Sequence, residues 1–140
     1  MSQRVLIEEL NNQLAAEYQA IIQYIDYSAT VNGPQRQQLV AFFQAEIPDE
    51  QLHAQYLADK ISVLGGNPTT SAKSVPHSSD AHQQLEYVLE AENKAVAGYT
   101  KLITLAEEAG EIGIRVQMEN FIMDETNHRD ETRKILEGNW

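Results

Sequence analysis

The amino-acid sequence predicts an all-α protein, an up-down four-helix bundle with one long crossover between helices 2 and 3. Apolar residues recur with helical periodicity, no run alternates convincingly as a strand does, and turn-forming residues divide the chain into four long segments. A chain of 140 residues suits a single domain, residues 1–140, that buries roughly 70% of its unfolded surface. The predicted helices cover residues 3–31, 35–64, 81–109 and 112–137.

Three breaks separate the predicted helices. Asn32-Gly33-Pro34 and the segment from Gly110 to Gly113 are short and predict tight turns. The middle break, from Gly66 to Ser79, is long and rich in Gly, Pro, Ser and Thr. When extended at about 3.3–3.6 Å per residue, it could span a helix of roughly 28 residues, about 42 Å long. This order of connections is typical of a bundle with one overhand crossover.

Each predicted helix carries an inward-facing seam, whose residues follow one another in steps of four and three. Such steps mark the face that packs against neighbouring helices, where Leu is expected. Glutamate and histidine occupy several of these positions instead. The polar seam residues are Glu17, Glu46, Glu50, His53, Glu92, Glu125 and His128.

Composition excludes several kinds of chemistry and partner. The chain has no cysteine, so any metal must be bound by carboxylate and imidazole rather than by thiolate. The formal net charge of -11 argues against nucleic acid or an anionic membrane as a partner, because both repel an acidic surface. Glu8 and Glu9 precede any long apolar run, so we expect neither a signal peptide nor a transmembrane helix, and a cytoplasmic location.

The two halves of the chain repeat with a constant offset of 75 residues, as from Glu17 to Glu92. The residue pairs related by this offset are Glu17 and Glu92, Tyr24 and Tyr99, Asp49 and Asp124, Glu50 and Glu125, and His53 and His128. The spacing within each half is also constant, since 33 residues separate the first glutamate of each half from the second. The sequence therefore predicts two copies of one helical hairpin, related by an approximate two-fold axis.

The repeated residues predict a site for two metal ions. Each half contains a Glu-x-x-His pair on one helix face, so both side chains can reach one metal from adjacent turns. Unpaired buried carboxylates cost several kcal/mol each and repel one another, whereas two divalent ions neutralise four of them. Oxygen and neutral imidazole donors suit non-haem iron, with Mn or Zn as competing metals. The predicted ligands are Glu17, Glu50, His53, Glu92, Glu125 and His128.

Residues beside the predicted ligands leave alternatives open. Asp49 and Asp124 could accept the free N–H of a histidine in the other half, or could lie on a solvated helix face. Tyr24 and Tyr99 could pack in the core, or could supply an electron to an oxidising di-iron site. Glu46 could guide cations towards the site, but a partly exposed, solvated side chain is the stronger expectation.

These motifs resemble those of the ferritin-like superfamily over nearly the whole chain, and most closely the bacterioferritin type of di-iron centre. The resemblance is carried by Glu17-Tyr-Gln-Ala-Ile-Ile-Gln-Tyr24, Asp49-Glu-Gln-Leu-His53, Glu92 and Asp124-Glu-Thr-Asn-His128. It implies that Glu17 and Glu92 are terminal carboxylates and that Glu50 and Glu125 are bridging carboxylates. It also implies that His53 and His128 are the imidazole ligands. Tyr24 matches a tyrosine beside the site in this family, and the resemblance implies that it is the catalytic residue.

Two departures from the family pattern bear on function. Bacterioferritins hold haem with a Met just after the first bridging Glu, and Gln51 stands there in this chain, so we expect no haem. Rubrerythrins carry an additional Glu where this chain has Ala95, and their full-length members add a cysteine-rich iron domain. A rubrerythrin-like activity is therefore the alternative rather than the leading hypothesis.

The leading hypothesis is a ferroxidase that oxidises Fe(II) with O2 or H2O2 for iron storage, detoxification and homeostasis. Two adjacent irons can deliver two electrons together, and such a protein is expected to be a homo-oligomer. The alternative is a rubrerythrin-like peroxidase or another di-iron oxidase that does not store iron. A third hypothesis is a non-catalytic helical interaction module with a coincidental polar seam. The size of the assembly, and whether it forms a hollow cage, stays open.

Overall fold

The computed structural model describes residues 2–140, and that part of the chain folds into four α-helices without a strand. The helices are α1, Ser2–Thr30; α2, Arg36–Val63; α3, Ala81–Glu108; and α4, Ile112–Leu136. The predicted all-α four-helix bundle is confirmed, and each predicted helix end lies within one residue of the observed end. Leu64, Ala109 and Glu137 follow the last helical residues as C-caps, which explains the extra residue in three of the predictions.

Glycines in the left-handed region end two of the helices. Gly65 follows α2 with a φ of 92°, and Gly110 follows α3 with a φ of 75°. A residue with a Cβ is strained in this conformation, so glycine is favoured directly after a helix that must stop. These positions release the chain into the crossover and into the short turn before α4.

The long crossover covers residues 64–80 and lies along α1. Asn11 Oδ1 accepts a hydrogen bond of 2.8 Å from the backbone N–H of Thr69, and Gln19 Nε2 donates one of 2.7 Å to the carbonyl of Ser74. These contacts hold the crossover in the direction of α1 while it returns the chain to the start of α3. α1 therefore packs against α2, α3 and the crossover.

Two apolar clusters fill the bundle and leave a polar layer between them. The first cluster is centred on Leu6, Leu10, Leu14, Leu57, Ile61, Leu102, Ile114 and Met118. The second is centred on Tyr27, Val31, Leu39, Phe43, Leu85 and Val88. On every helix the predicted metal ligands fall between the stretches that build the two clusters. Apolar packing therefore shields the predicted site from both ends of the bundle.

Across residues 2–140, no helix combines the length and the apolar character that crossing a membrane requires.

Candidate metal centre

The predicted ligands are removed from solvent although they are polar. His128, with 12% of its side chain exposed, is the most accessible of the six. The other five are at most 3% exposed, and they are Glu17, Glu50, His53, Glu92 and Glu125. Glutamate is rarely buried without a partner, so four such residues in one layer require compensation.

Four of the predicted ligands form one compact group. Donor atoms of Glu17, Glu50, His53 and Glu125 all lie within 4.8 Å of one another. His53 Nδ1 is 3.4 Å from Glu125 Oε1 and 3.8 Å from Glu17 Oε2. Side chains from α1, α2 and α4 therefore converge at one point, and they could hold a metal ion there.

The other two predicted ligands lie beside this group. His128 Nδ1 is 3.8 Å from Glu50 Oε1, but its Nε2 lies 2.5 Å from Glu46 Oε2. Glu92 accepts a hydrogen bond of 3.5 Å from the hydroxyl of Tyr24. Glu92 and His128 lie outside the four-residue group.

Each of the six predicted ligands has one buried donor atom without a hydrogen-bond partner within residues 2–140. In chain order these atoms are Glu17 Oε2, Glu50 Oε1, His53 Nδ1, Glu92 Oε1, Glu125 Oε1 and His128 Nδ1. Native proteins satisfy nearly all buried polar atoms, so each exception needs an explanation. A pair of bound cations would satisfy all six atoms together, and the donor set fits a di-iron group in this respect.

The outward nitrogens of both histidines face aspartates from the opposite half of the chain. His53 Nε2 lies 3.1 Å from Asp124 Oδ2, and His128 Nε2 lies 3.3 Å from Asp49 Oδ2. Of the two alternatives that the sequence left open for Asp49 and Asp124, the reach across to the other half is the one observed. A carboxylate at Nε2 orients the ring so that Nδ1 faces the centre of the bundle.

The two repeated tyrosines also reach across the halves. Both tyrosines are at most 3% exposed. The hydroxyl of Tyr99 donates a hydrogen bond to Glu17 Oε1, and the hydroxyl of Tyr24 donates one to Glu92. Core packing is therefore only part of their role, because each phenol contacts a predicted ligand. Burial, followed by the charge of nearby glutamates, raises the pKa of both phenols well above the ordinary value of 10.0.

The contact of Glu46 with His128 was not predicted from the sequence, where a partly exposed, solvated side chain was the stronger expectation and a guide for cations the alternative. Glu46 is only 12% exposed and contacts His128, and together with Asp49 the two form a second group of close donor atoms. Its seam position, one turn before Glu50, was the available signal. The residue 75 positions later is Phe121, whose ring lies 4.0 Å from the His53 ring. The two histidines therefore have different neighbours despite the repeat.

Burial and mutual repulsion shift the pKa values of the carboxylates at the predicted site. Burial raises the pKa of Glu17 and Glu50, and the charges of neighbouring glutamates raise that of Glu50 further. Burial also raises the pKa of Glu92 to about 8. Burial opposes ionisation of Glu125 as well, but His53 beside it holds the pKa of this carboxyl below its ordinary value. The metal-free site therefore retains protons that a cation would displace.

Acidic neighbours raise the pKa values of both histidines. Burial alone would lower the pKa of His128, but the hydrogen bond and charge of Glu46 raise it to about 9. Burial likewise opposes protonation of His53, and Glu125 and Glu17 nevertheless raise its pKa. A metal can bind only the neutral rings, so its binding must release these protons.

A Glu-x-x-His pair on each of two helices and single glutamates on the other two define the class of two-metal carboxylate proteins built on a helical bundle. Residues 7–138 match the ferritin-like domain, and the chain belongs to this family.

Known proteins support the same class. The bacterioferritin of Desulfovibrio desulfuricans is 30% identical over 132 residues, covering 88% of this chain and 69% of that protein. Its crystal structure, described with a diiron site in different catalytic states, aligns at a TM-score of 0.89 and 26% identity over 97% of this chain and 80% of that chain. A ferritin-like, diiron-carboxylate protein from Bacillus anthracis is 43% identical, with a TM-score of 0.95 over 97% of this chain and 98% of that one.

Proposed function

We propose that this chain oxidises Fe(II) at a two-metal site, using O2 or H2O2, in the service of iron storage or detoxification. The observation that carries the proposal is the set of six buried donor atoms, one on each predicted ligand, that make no hydrogen bond within residues 2–140. In a purely structural polar layer such atoms would be joined by hydrogen bonds, whereas a binding site leaves them available to a ligand. The diiron relatives named above support iron as the metal.

In this proposal Glu17, Glu50, His53, Glu92, Glu125 and His128 hold the iron ions. Two iron ions held side by side supply two electrons to one oxidant molecule, one from each ion. Mn(II) and Zn(II) are expected competitors for the same donors. The absence of haem, expected from Gln51, stays a prediction, as does the cytoplasmic location.

The surrounding residues orient the ligands and exclude water. Asp124 holds the outward nitrogen of His53, and Glu46 with Asp49 beside it holds that of His128, so both rings direct Nδ1 inward. The two apolar clusters close the site above and below. Tyr24 contacts Glu92 and is the residue that we expect to supply an additional electron during oxidation.

Rapid mixing of the anaerobic Fe(II)-loaded protein with each oxidant tests this function. The wild type should oxidise Fe(II) well above the rate in protein-free buffer, and Glu50→Ala should abolish the excess. Glu131→Ala removes an exposed glutamate and should retain the full rate. Equal rates for Glu50→Ala and the wild type would overturn the proposal.

Sizing of the assembly separates storage from turnover without storage. An iron store requires a hollow homo-oligomer, which light scattering would report as a particle of many chains. A dimer would defeat the storage role and leave the rubrerythrin-like peroxidase or another di-iron oxidase as the function.

A further inference from the structure

A cavity of about 540 Å³ opens between α1 and α3, beside the crossover, and reaches the predicted metal ligands. Its lining includes Glu17 and Glu92 from the site, and Lys73 and Lys94 from the surface. We call it the α1–α3 cavity. It gives a small molecule a route to the site along a face that carries neither histidine.

Gln13 lines this cavity, and its side-chain amide carries an unused hydrogen-bond donor. The residue is 5% exposed and lies one helical turn before Glu17, and its Nε2 has no partner within residues 2–140. A buried amide donor without a partner is costly. The repeat does not require this amide, because Val88 stands at the corresponding position of the second half. Gln13 is therefore an addition to the symmetric ligand set.

The opposite wall of the cavity leaves room for this amide. Gly98 lies inside α3, where alanine would be the better helix former. A Cβ built at Gly98 would lie 2.0 Å from Gln13 Oε1, so any larger residue would displace the carboxamide. Gly98 thus accommodates the Gln13 side chain at the expense of helix propensity.

A second cavity, of about 430 Å³, lies on the other side of the site and has a different character. It lies between α2 and α4, and its lining includes His53, Asp49, Asp59 and Asp124. Three aspartates favour a cation there. The lining of the α1–α3 cavity also contains glutamates, but four of them are the buried predicted ligands Glu17, Glu50, Glu92 and Glu125. At the surface the cavity has Lys73, neutral amides and Glu90, whose carboxylate is paired with Lys94 at 3.0 Å. This cavity suits an uncharged guest that forms hydrogen bonds.

We propose that the α1–α3 cavity admits hydrogen peroxide and that Gln13 Nε2 donates a hydrogen bond to it beside Glu17. The inference rests on the proposed function, in which peroxide is the oxidant. Molecular oxygen is a poor hydrogen-bond acceptor, so it would not satisfy the buried amide of Gln13. Hydrogen peroxide both donates and accepts hydrogen bonds. In the reaction each of two Fe(II) ions loses one electron, the O–O bond breaks, and two protons complete two molecules of water.

Two variants test the role of Gln13. Gln13→Leu removes the amide at similar size, and Gly98→Ala displaces it without changing any carboxylate or histidine. Gln37→Leu is the control for the substitution, because Gln37 is exposed at the start of α2. Circular dichroism on heating confirms that each variant is folded before comparison.

The first measurement uses the metal-free protein and so needs no turnover. Hydrogen peroxide is titrated into the ¹⁵N-labelled protein, and backbone resonances near Gln13 and Gly98 are followed. We expect a saturable change in the wild type and in Gln37→Leu, and none in Gln13→Leu or Gly98→Ala. A saturable change that persists in both cavity variants, or its absence from the wild type, would overturn the proposal.

The second measurement compares the two oxidants on the Fe(II)-loaded protein. Gln13→Leu should raise the apparent KM for peroxide by about three- to tenfold, the effect of one hydrogen bond, and should leave oxidation by O2 unchanged. An equal loss with both oxidants contradicts a role in peroxide binding. If wild-type protein oxidises Fe(II) with neither oxidant, the proposed function fails, and the metal-free titration still decides whether the cavity binds peroxide.

Discussion

Nε2 of His53, on α2, lies 3.1 Å from Oδ2 of Asp124, on α4. The repeat-related atoms of His128 and Asp49 are 3.3 Å apart, so each half of the chain orients the histidine of the other. In each histidine a carboxylate lies beside Nε2, which faces away from the bundle centre, and Nδ1 is directed towards the buried glutamates. The halves are therefore interlocked at the predicted site rather than merely packed side by side.

Loss of Asp124 should weaken metal binding without unfolding the protein. Asp124 is about half exposed, so Asp124→Ala creates no buried cavity. We expect the affinity for Fe(II) or Zn(II) to fall by roughly 10- to 100-fold, the usual effect of removing a carboxylate behind a ligating histidine. Competition with a chelator measures the change. Asp130→Ala, which removes an exposed aspartate, should bind as the wild type does, and equal affinities for both variants would contradict the role of Asp124.

Glu50→Gln should stabilise the metal-free protein and destroy its response to metal. Glu50 is buried beside Glu17 and Glu125, and burial together with the charges of these two glutamates raises its pKa well above the ordinary value of 4.5. At about pH 8 the neutral amide should raise the free energy of unfolding by roughly 1–3 kcal/mol. Thermal melting with and without Zn(II) checks both effects, and Glu131→Gln at an exposed position is the control. A less stable metal-free variant would indicate that Glu50 has a structural role instead.

The stability of the metal-free protein should fall as the pH rises. Burial raises the pKa of Glu92 from 4.5 to about 8. Burial alone would lower the pKa of His128, but Glu46 raises it from 6.5 to about 9. The folded state therefore binds more protons than the unfolded state in these intervals, and stability is lost through them. Metal requires the deprotonated groups, so stabilisation by metal should grow over the same range. Urea unfolding at several pH values, with and without Zn(II), would reveal both slopes; a metal-free stability that rises with pH contradicts this assignment.

Most of the fold and of the predicted site could be read from the sequence. Seam periodicity located the helices, and the repeat left contact of each Asp with the histidine of the other half as one of two alternatives, which the distances favour. Glu46 could not be placed in this way, since a Glu in the seam is compatible with either burial or solvation. Its contact with His128 depends on how α2 and α4 pack, which a one-dimensional pattern does not contain.

Glu46→Gln should lower the pKa of His128 in the metal-free protein. Glu46 contributes both the hydrogen bond and the nearest charge that raise this pKa to about 9. Removal of that charge should move the pKa towards its ordinary value of 6.5, as an NMR titration of the imidazole would show. Glu86→Gln is the matched control, because Glu86 contacts His82 and not His128. A pKa of His128 that does not change would contradict this contact.

Tyr24→Phe should leave iron binding intact and change the course of oxidation. The Tyr24 hydroxyl contacts Glu92 at 3.5 Å, which is long for a hydrogen bond, so loss of the hydroxyl should disturb Glu92 little. If Tyr24 supplies an electron, rapid-freeze electron paramagnetic resonance should detect a tyrosyl radical in the wild type and in Tyr99→Phe, but none in Tyr24→Phe. A radical that survives in Tyr24→Phe would assign the electron to another residue.

An anaerobic Fe(II) titration measures the central claim most directly, because it counts the ions that the six buried donors hold. The account predicts saturation at two Fe(II) per chain, accompanied by proton release, and loss of both in Glu50→Ala. Titration without saturable uptake, or uptake that Glu50→Ala leaves unchanged, would contradict the two-metal site.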